Sequence, residues 1–275
     1  LSLNTTGSEN TAFGYNSLTS NSIGNYNTAV GSRALYNNTT GENNTATGYN
    51  ALFNNTNSWN NTANGTRALY SNTTGEGNTA VGSEALLSNT TSHFNTANGC
   101  SSLRNNTTGH NNTANGSFAL YANTVGYQNN ATGRNSLYNN TTGYNNIGYG
   151  NNSLYNNTSG IFNLAVGNNA LWSNTSGSFN VAIGQEALYS SYGDSYNVAI
   201  GYQALYTNNG EYSNCEPCSN ENTAIGYQAL YSNTTGASNT ANGFQSLYSN
   251  EDGNCNASVG YKTLFSNIDG NFNTA

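Results

Sequence analysis

Residues 222–238 read Asn222-Thr-Ala-Ile-Gly-Tyr-Gln-Ala-Leu-Tyr-Ser-Asn-Thr-Thr-Gly-Ala-Ser238. The rest of the chain repeats this stretch, so its residues specify the fold. The next copy begins at Asn239, so the period of the sequence is 17 (239 − 222). A short fixed period is the signature of a solenoid or another repeat array. Positions in the unit are counted from its first Asn, so Gly226 holds position five, Leu230 position nine and Tyr231 position ten.

The unit recurs along the whole chain with one change of spacing. Copies begin at Asn10, Asn27, Asn44, Asn61, Asn78, Asn95, Asn112, Asn129, Asn146, Asn163, Asn180, Asn197, Asn222, Asn239, Asn256 and Asn273. Each step equals the period except that from Asn197 to Asn222, which is 25 and is therefore longer by eight (25 − 17). The pattern therefore predicts a single continuous repeat domain over residues 1–275, with an insertion loop at about 207–221.

The residues of one unit predict one coil of a β-solenoid, since a 17-residue unit is too short for a helix pair. We expect a short strand around Thr-Ala-Ile, a corner at Gly226, a second strand around Ala-Leu-Tyr and a turn ending in Gly. Glycine at a corner permits positive φ or a close backbone approach. Alternation along the strands would turn Ala224 and Leu230 inward, and Ala229 and Tyr231 outward. The predicted fold is all-β, a parallel β-solenoid (β-roll) of about sixteen coils.

The composition argues against several classes of function. Net charge is −7, with five Lys and Arg residues in all, whereas nucleic acids and anionic membrane surfaces attract basic patches. No run of about 18 apolar residues is present, so membrane insertion is not expected. No constellation of acids, His or nucleophiles indicates a catalytic centre, a metal or a cofactor. We expect a protein that is not an enzyme.

Position ten carries an aromatic residue in most units. These residues are Tyr36, Phe53, Tyr70, Tyr121, Tyr138, Tyr155, Trp172, Tyr189, Tyr206, Tyr231, Tyr248 and Phe265. Equivalent residues of stacked coils lie about 4.8 Å apart, so the rings should form a ladder. One Leu and one or two Ala per coil make a thin core. We therefore predict that the ladder is an interchain face for lateral self-association, most simply a homotrimer or a filament.

Position twelve supplies most of the candidate glycosylation sites, as Asn-X-Thr/Ser sequons in a polar turn. They are Asn4, Asn38, Asn72, Asn89, Asn106, Asn140, Asn157, Asn174 and Asn233. In a secreted eukaryotic protein such exposed turns would carry a row of glycans along one edge. The alternative interpretation is turn chemistry in a chain that is rich in Asn and Thr.

The insertion contains Cys215 and Cys218, and a further cysteine follows at Cys255. We expect a disulfide, either within the Cys215–Cys218 pair or from the insertion to Cys255, in preference to half a zinc site. His93 and His110 share position sixteen and should lie on adjacent coils. They are interpreted as exposed turn residues in preference to a metal pair.

Two segments, Asn180-Val-Ala-Ile-Gly184 and Asn197-Val-Ala-Ile-Gly201, resemble the head repeat of YadA-like trimeric autotransporter adhesins. The longer form Asn-Thr-Ala-X-Gly-Tyr-X-Ala-Leu is similar to repeats of phage tail-fibre-like surface proteins. The resemblance implies a left-handed parallel β-roll, a homotrimer and an extracellular role in adhesion. The chain departs from the family in its longer coil, which adds the Asn-Thr-Thr-Gly turn.

The function predicted from these features is a non-enzymatic extracellular fibre or surface-appendage shaft, on a cell or on a phage or virus particle. The alternative is an adhesin or tail-fibre module that binds carbohydrate or a host surface through the insertion or the aromatic ladder. Ice binding by the Thr column at position two is less favoured, because Ile147, Leu164, Val181 and Val198 interrupt that column.

Overall fold

The computed structural model describes residues 1–208 and 220–275, in two compact units, Leu1–Arg134 and Asn135–Ala275. Each unit is a stack of coils that carry a three-residue strand at positions two to four. No helix occurs within these two described ranges. The predicted all-β parallel β-solenoid with a 17-residue coil is confirmed.

The strands follow one another in chain order within each unit. The first unit has β1 Thr11–Phe13, β2 Thr28–Val30, β3 Thr45–Thr47, β4 Thr62–Asn64, β5 Thr79–Val81, β6 Thr96–Asn98, β7 Thr113–Asn115 and β8 Asn130–Thr132. The second has β9 Ile147–Tyr149, β10 Leu164–Val166, β11 Val181–Ile183, β12 Val198–Ile200, β13 Thr223–Ile225, β14 Thr240–Asn242 and β15 Ala257–Val259. Successive strands within a unit pair in parallel with equivalent positions opposite each other, as Thr62 is opposite Thr79.

Glycine at position five ends each strand and turns the chain. Its φ lies between 124° and 145° in the described coils, a conformation that side chains disfavour. It also packs against its equivalent in the next coil. A Cβ added to Gly99 would lie 2.6 Å from the carbonyl carbon of Gly116. The predicted glycine corner is confirmed, and both its conformation and its close approach require glycine.

The second strand predicted around Ala-Leu-Tyr is wrong, because positions six to eleven form turns. Leucine at position nine adopts the left-handed conformation, with φ of 51° at Leu188. That conformation costs about 1–2 kcal/mol in a residue other than glycine. Full burial of the leucine side chain contributes about 1.5–3 kcal/mol and offsets the cost. Strand alternation does not hold in a turn, so Ala187 at position eight is buried and not outward as predicted.

The interior of each coil combines this small apolar core with two columns of buried asparagine. Asn61 at position one donates from its backbone N–H and its Nδ2 to Oδ1 of Asn44, at 3.0 and 3.3 Å. Asn72 at position twelve donates from Nδ2 to Oδ1 of Asn55, at 3.0 Å. Both Nδ2 atoms also donate to the carbonyl of Gly75, at 2.9 and 3.0 Å. The two columns are thus joined inside the coil through one backbone oxygen.

The asparagine column at position twelve has a defect in the second unit. The Oδ1 of Asn174 is buried and has no hydrogen-bond partner. The following coil has Ser191 at this position, which offers no amide group. Its hydroxyl donates to the carboxylate of Asp194 at 3.3 Å, and Nδ2 of Asn208 donates to the same oxygen at 3.2 Å. Hydrogen bonds of Ser191 and Asn208 to Asp194 replace the regular asparagine–asparagine hydrogen bonds at this coil.

Restoring the repeat at this defect is expected to stabilise the second unit. The double substitution Ser191→Asn with Asp194→Gly supplies the missing amide donor and the usual glycine at position fifteen. An unsatisfied buried polar atom costs about 1–3 kcal/mol, so the free energy of unfolding should rise by about that amount. Urea denaturation followed by circular dichroism measures the change. Ser190→Asn, one residue earlier and half-buried, is the control, and an equal gain in that variant would contradict the explanation.

Candidate functional site

The ladder at position ten is continuous through the second unit. Neighbouring ring centroids lie 5.0–5.8 Å apart and their planes are within 11° of parallel. The rings are those of Tyr138, Tyr155, Trp172, Tyr189, Tyr206, Tyr231, Tyr248 and Phe265. All are half-buried. The predicted stacking is confirmed, while contact with another chain stays a prediction.

The same ladder is interrupted in the first unit. Tyr36, Phe53 and Tyr70 stack at 5.2 and 5.3 Å, and the next two coils carry Leu87 and Arg104. The Arg104 guanidinium lies 5.9 Å from the ring centroid of the following tyrosine, Tyr121, a cation–π distance. Its Nε also donates to Glu84 at 2.7 Å. Glu84 pairs with Arg67 as well, so one carboxylate joins two arginines.

Stacking determines what the position-ten rings present to solvent. Each ring inside the ladder has a neighbouring ring on both faces, as Tyr231 has Tyr206 and Tyr248, each at 5.1 Å. The rings therefore expose edges and hydroxyl groups, and their faces are covered. A sugar ring stacks on an aromatic face. The predicted carbohydrate site on this ladder thus lacks its usual contact surface.

The environment of the ladder shifts the acidity of two of its tyrosines. Burial, followed by the charge of Glu186, raises the pKa of Tyr206 above its ordinary 10.0. Burial, followed by interaction with Tyr248, raises the pKa of Tyr231. Removing solvent disfavours the charged phenolate, and neighbouring negative charges add to the effect. Both phenol groups therefore stay neutral to a higher pH than an ordinary tyrosine does.

These raised pKa values predict alkaline destabilisation of the second unit. The unfolded chain ionises these tyrosines near pH 10 and the folded chain at higher pH. Their stabilising contribution is complete below pH 10 and is lost as pH rises through the folded-state pKa values. The double variant Tyr206→Phe/Tyr231→Phe keeps the ladder, since Phe265 occupies this position naturally. Urea denaturation at stepped alkaline pH should show a smaller loss for the variant, and identical profiles would contradict the assignment.

Two further aromatic ladders occur in the second unit, and sequence reasoning missed both. At position six, Tyr202, Tyr227, Phe244 and Tyr261 stack at 5.1–5.4 Å. At position seventeen, Phe162, Phe179 and Tyr196 stack at 5.2 Å. All these side chains are exposed. In the first unit, positions six and seventeen carry residues of several types. The aromatic pattern is present only in the later coils, so a comparison averaged over all repeats conceals it.

The candidate glycosylation sites lie inside the coil and not on an exposed edge. Asn38, Asn72, Asn89, Asn106, Asn140, Asn157, Asn174 and Asn233 are fully buried, while Asn4 in the first coil is exposed. The Nδ2 atom, to which a glycan would be attached, donates within the chain, as that of Asn157 does to Asn140 at 2.8 Å. The expectation that these eight asparagines occupy an accessible turn is wrong, because they form the inner ladder.

The predicted disulfide involves residues that the structure describes only in part. Cys215 and Cys218 lie outside the described residues, as does most of the insertion predicted at about 207–221. Cys255 has a free, exposed thiol. Pairing of the two insertion cysteines stays a prediction.

The two histidines have separate partners. His93 accepts the backbone N–H of Glu76 at its Nδ1, at 3.0 Å. His110 stacks on Tyr127, with centroids 5.2 Å apart and planes 2° from parallel. Across residues 1–208 and 220–275, no three His, Cys, Asp or Glu side chains converge as metal ligands.

Comparisons with known proteins do not identify a family for this chain, so its architecture describes it best. No family model matches the chain, and no curated protein matches it. A search of the described part of the chain finds no helix with the length and apolar character needed to cross a membrane. From its register, its paired strands and its interior, the chain is a parallel β-solenoid repeat protein with a 17-residue coil.

Proposed function

We propose that the chain is a non-enzymatic structural module, an extracellular fibre or surface-appendage shaft built from stacked β-coils. The main support for the proposal is that successive coils make the same kinds of contact with one another. Within a unit, successive coils meet through the same strand pairing and the same two asparagine columns, as between Asn44 and Asn61, apart from the break at Ser191. Coils can therefore be added within a unit without any new type of contact, which suits a spacer.

The surface chemistry also supports this role. Charged residues make up 6% of the chain, against about 25% in typical globular proteins. Hydrogen bonds between asparagine side chains join successive coils in the interior, and polar turns cover much of the outside. The likeness to YadA-like heads and tail-fibre repeats belongs to this proposal, with its left-handed form and its placement on a cell, phage or virus surface.

Imaging of the native object tests the proposal. Antibodies to the repeat, applied to intact cells or particles of the source, should label elongated appendages along their length in electron micrographs. Label that appears only after permeabilisation would contradict the extracellular role. Label confined to a terminal knob would favour the alternative below.

The alternative is an adhesin or tail-fibre module that recognises carbohydrate or a host surface. The observation that favours it is the exposed ladder at position six, where Tyr261 is 72% exposed. Binding to a glycan array tests this alternative. Binding that is lost in Tyr261→Ala and retained in Tyr231→Phe would favour it over the shaft, whereas no binding would favour the shaft.

A further inference from the structure

The outward face of the strands in the second unit is apolar in β9 to β12 and largely apolar in β13 to β15, where Thr223, Thr240 and Asn242 are the polar exceptions. In β10 to β12, positions two and four point outward and are half-buried, while position three between them is fully buried. The outward residues are Leu164, Val166, Val181, Ile183, Val198 and Ile200. Ile147, Ile225 and Val259 extend the face and are 43%, 37% and 62% exposed. No position of these two columns in β9 to β15 carries a charge.

The fold of the coil does not require this apolar face. The first unit has the same strands in the same register, yet β4, β6 and β7 all read Thr-Ala-Asn. Their threonine and asparagine side chains are exposed. The backbone thus accepts polar residues at positions two and four without change of structure. The apolar residues of the second unit need another explanation, and a covered surface supplies one.

Exposed aromatic ladders flank the strands at both ends. Position seventeen precedes the strand by two residues and bears Phe162, Phe179 and Tyr196. Position six follows it by two residues and bears Tyr202 and Tyr227 among others. We name the outward side chains of positions two and four in β9 to β15, together with these exposed aromatic rings, the apolar strand face.

The apolar strand face can reach the size of a small stable protein–protein interface. Seven coils at about 4.8 Å give a length of roughly 34 Å. Six residue steps at about 3.3 Å set an upper limit of roughly 20 Å on the width, because the glycine corner at position five turns the chain. Two faces would together cover at most about 1,400 Å², which lies at the lower end of the range of about 1,200–2,000 Å² that specific interfaces bury.

The repeat of the face identifies its partner. Its side chains recur at the coil spacing in straight columns, so a mating surface can interdigitate over seven coils only if it has the same spacing. A second copy of this chain has that spacing and the same uncharged, largely apolar columns at positions two and four. We propose that the apolar strand face is a self-complementary interface, through which the second units of two copies pack face to face.

This interface differs from the position-ten ladder that the sequence suggested for the same purpose. The ladder rings already stack on one another within a single chain. The apolar strand face in β10 to β12 presents aliphatic side chains that have no polar atoms and no partner sheet in the described structure. Burial of that apolar area removes it from water, which is the main driving force for association.

The proposal deepens the structural role proposed above and rests on it. Its test is sedimentation velocity of the full chain over a concentration series. The wild-type chain is expected to form dimers or larger assemblies. The variant V181T/I183N/V198T/I200N carries the residues that the first unit has at these positions, so it should fold normally. We expect it to weaken self-association by at least tenfold.

Two control variants locate the interface. Thr96→Val/Asn98→Ile makes the opposite change in the first unit and should leave the association of the second units in place. Tyr206→Leu/Tyr231→Leu disrupts the ladder with the residue that Leu87 provides naturally, and should also leave association intact. Association that is lost in the ladder variant and kept in the face variant would overturn the proposal.

The result for the wild-type chain separates this inference from the proposed function. A folded wild-type chain that stays monomeric at high concentration overturns the interface and leaves the structural role standing. A wild-type chain that has no β-sheet circular dichroism would contradict both. Circular dichroism of each variant shows that reduced association does not arise from unfolding.

Discussion

Replacing Gly167 by alanine is expected to destabilise the second unit by about 2–6 kcal/mol, through backbone strain and overpacking together. Gly167 has φ of 134°, and a Cβ there would lie 2.5 Å from the carbonyl oxygen of Gly184 and 2.6 Å from its carbonyl carbon. The conformation costs about 1–3 kcal/mol in other residues. Overpacking against backbone that cannot rotate away adds about 1–3 kcal/mol. Urea denaturation followed by circular dichroism measures the loss.

The matched control is another glycine of the same unit. A Cβ added to Gly193 meets nothing closer than the hydroxyl of Ser176 at 3.4 Å, and its φ is not in the left-handed region. Gly193→Ala should therefore change the free energy of unfolding by less than about 1 kcal/mol. Equal losses in the two variants would show that the glycine corner is not the cause.

Replacing Asn106 by alanine is expected to cost the first unit about 2–5 kcal/mol, because it removes several buried hydrogen bonds at once. Its Nδ2 donates to Oδ1 of Asn89 at 3.0 Å and to the carbonyl of Gly109 at 2.8 Å. Its Oδ1 accepts Nδ2 of Asn123 at 2.8 Å. Each of these three hydrogen bonds contributes about 0.5–1.5 kcal/mol, and each partner keeps one other hydrogen bond in the variant. Thermal and urea unfolding of the purified chain measure the effect.

An exposed asparagine of the same unit provides the control, since the same substitution, asparagine to alanine, is made outside the ladder. Asn64 lies on the outward face of β4 and is exposed. Asn64→Ala should alter the free energy of unfolding by no more than about 0.5 kcal/mol, as for other surface changes. A small effect in both variants would contradict the view that buried amide ladders hold the coils together.

The sequence predicted the fold because its constraints recur in every coil. Gly at position five and the alternation of Thr, Ala and Ile at positions two to four indicated a strand and a corner, as seen at Gly226. The fixed spacing predicted the register, since the equivalent residues Thr62 and Thr79 pair directly. The strand, the corner and the register depend on the local backbone conformation, and the residue types at these positions indicate that conformation directly.

The turn that contains the leucine could not be predicted in the same way. Ala-Leu-Tyr has the composition of a strand, and nothing local indicates that Leu230 adopts φ of 50°. The left-handed turn becomes favourable only when stacked coils bury the leucine side chain. The ladder of Asn233 and its equivalents depends on stacking too. In isolation Asn-X-Thr reads as a surface turn, and its burial arises from hydrogen bonds to neighbouring coils.

The candidate surfaces were predictable only in part. The ladder at position ten spans most coils and was visible in the sequence. The apolar strand face depends on residues such as Val198 and Ile200, which stand out only once β12 is known to turn positions two and four outward. The same residues could have faced a core. Side-chain direction, and not composition, decides between the two.

Each 17-residue unit forms one coil that pairs in register with the next. Disulfide trapping in the first unit tests this arrangement directly. In a chain with its native cysteines changed to serine, Thr62→Cys with Thr79→Cys places two thiols on paired residues. Their Cα atoms should lie about 4.8 Å apart, within the range that a disulfide spans. Thr62→Cys with Thr96→Cys places the thiols two coils apart, at about 9.6 Å.

Under mild oxidation the first pair should cross-link rapidly and the second should remain reduced, as read by intact mass and thiol labelling. Failure of the first pair, or equal cross-linking of both, would contradict a stack of 17-residue coils.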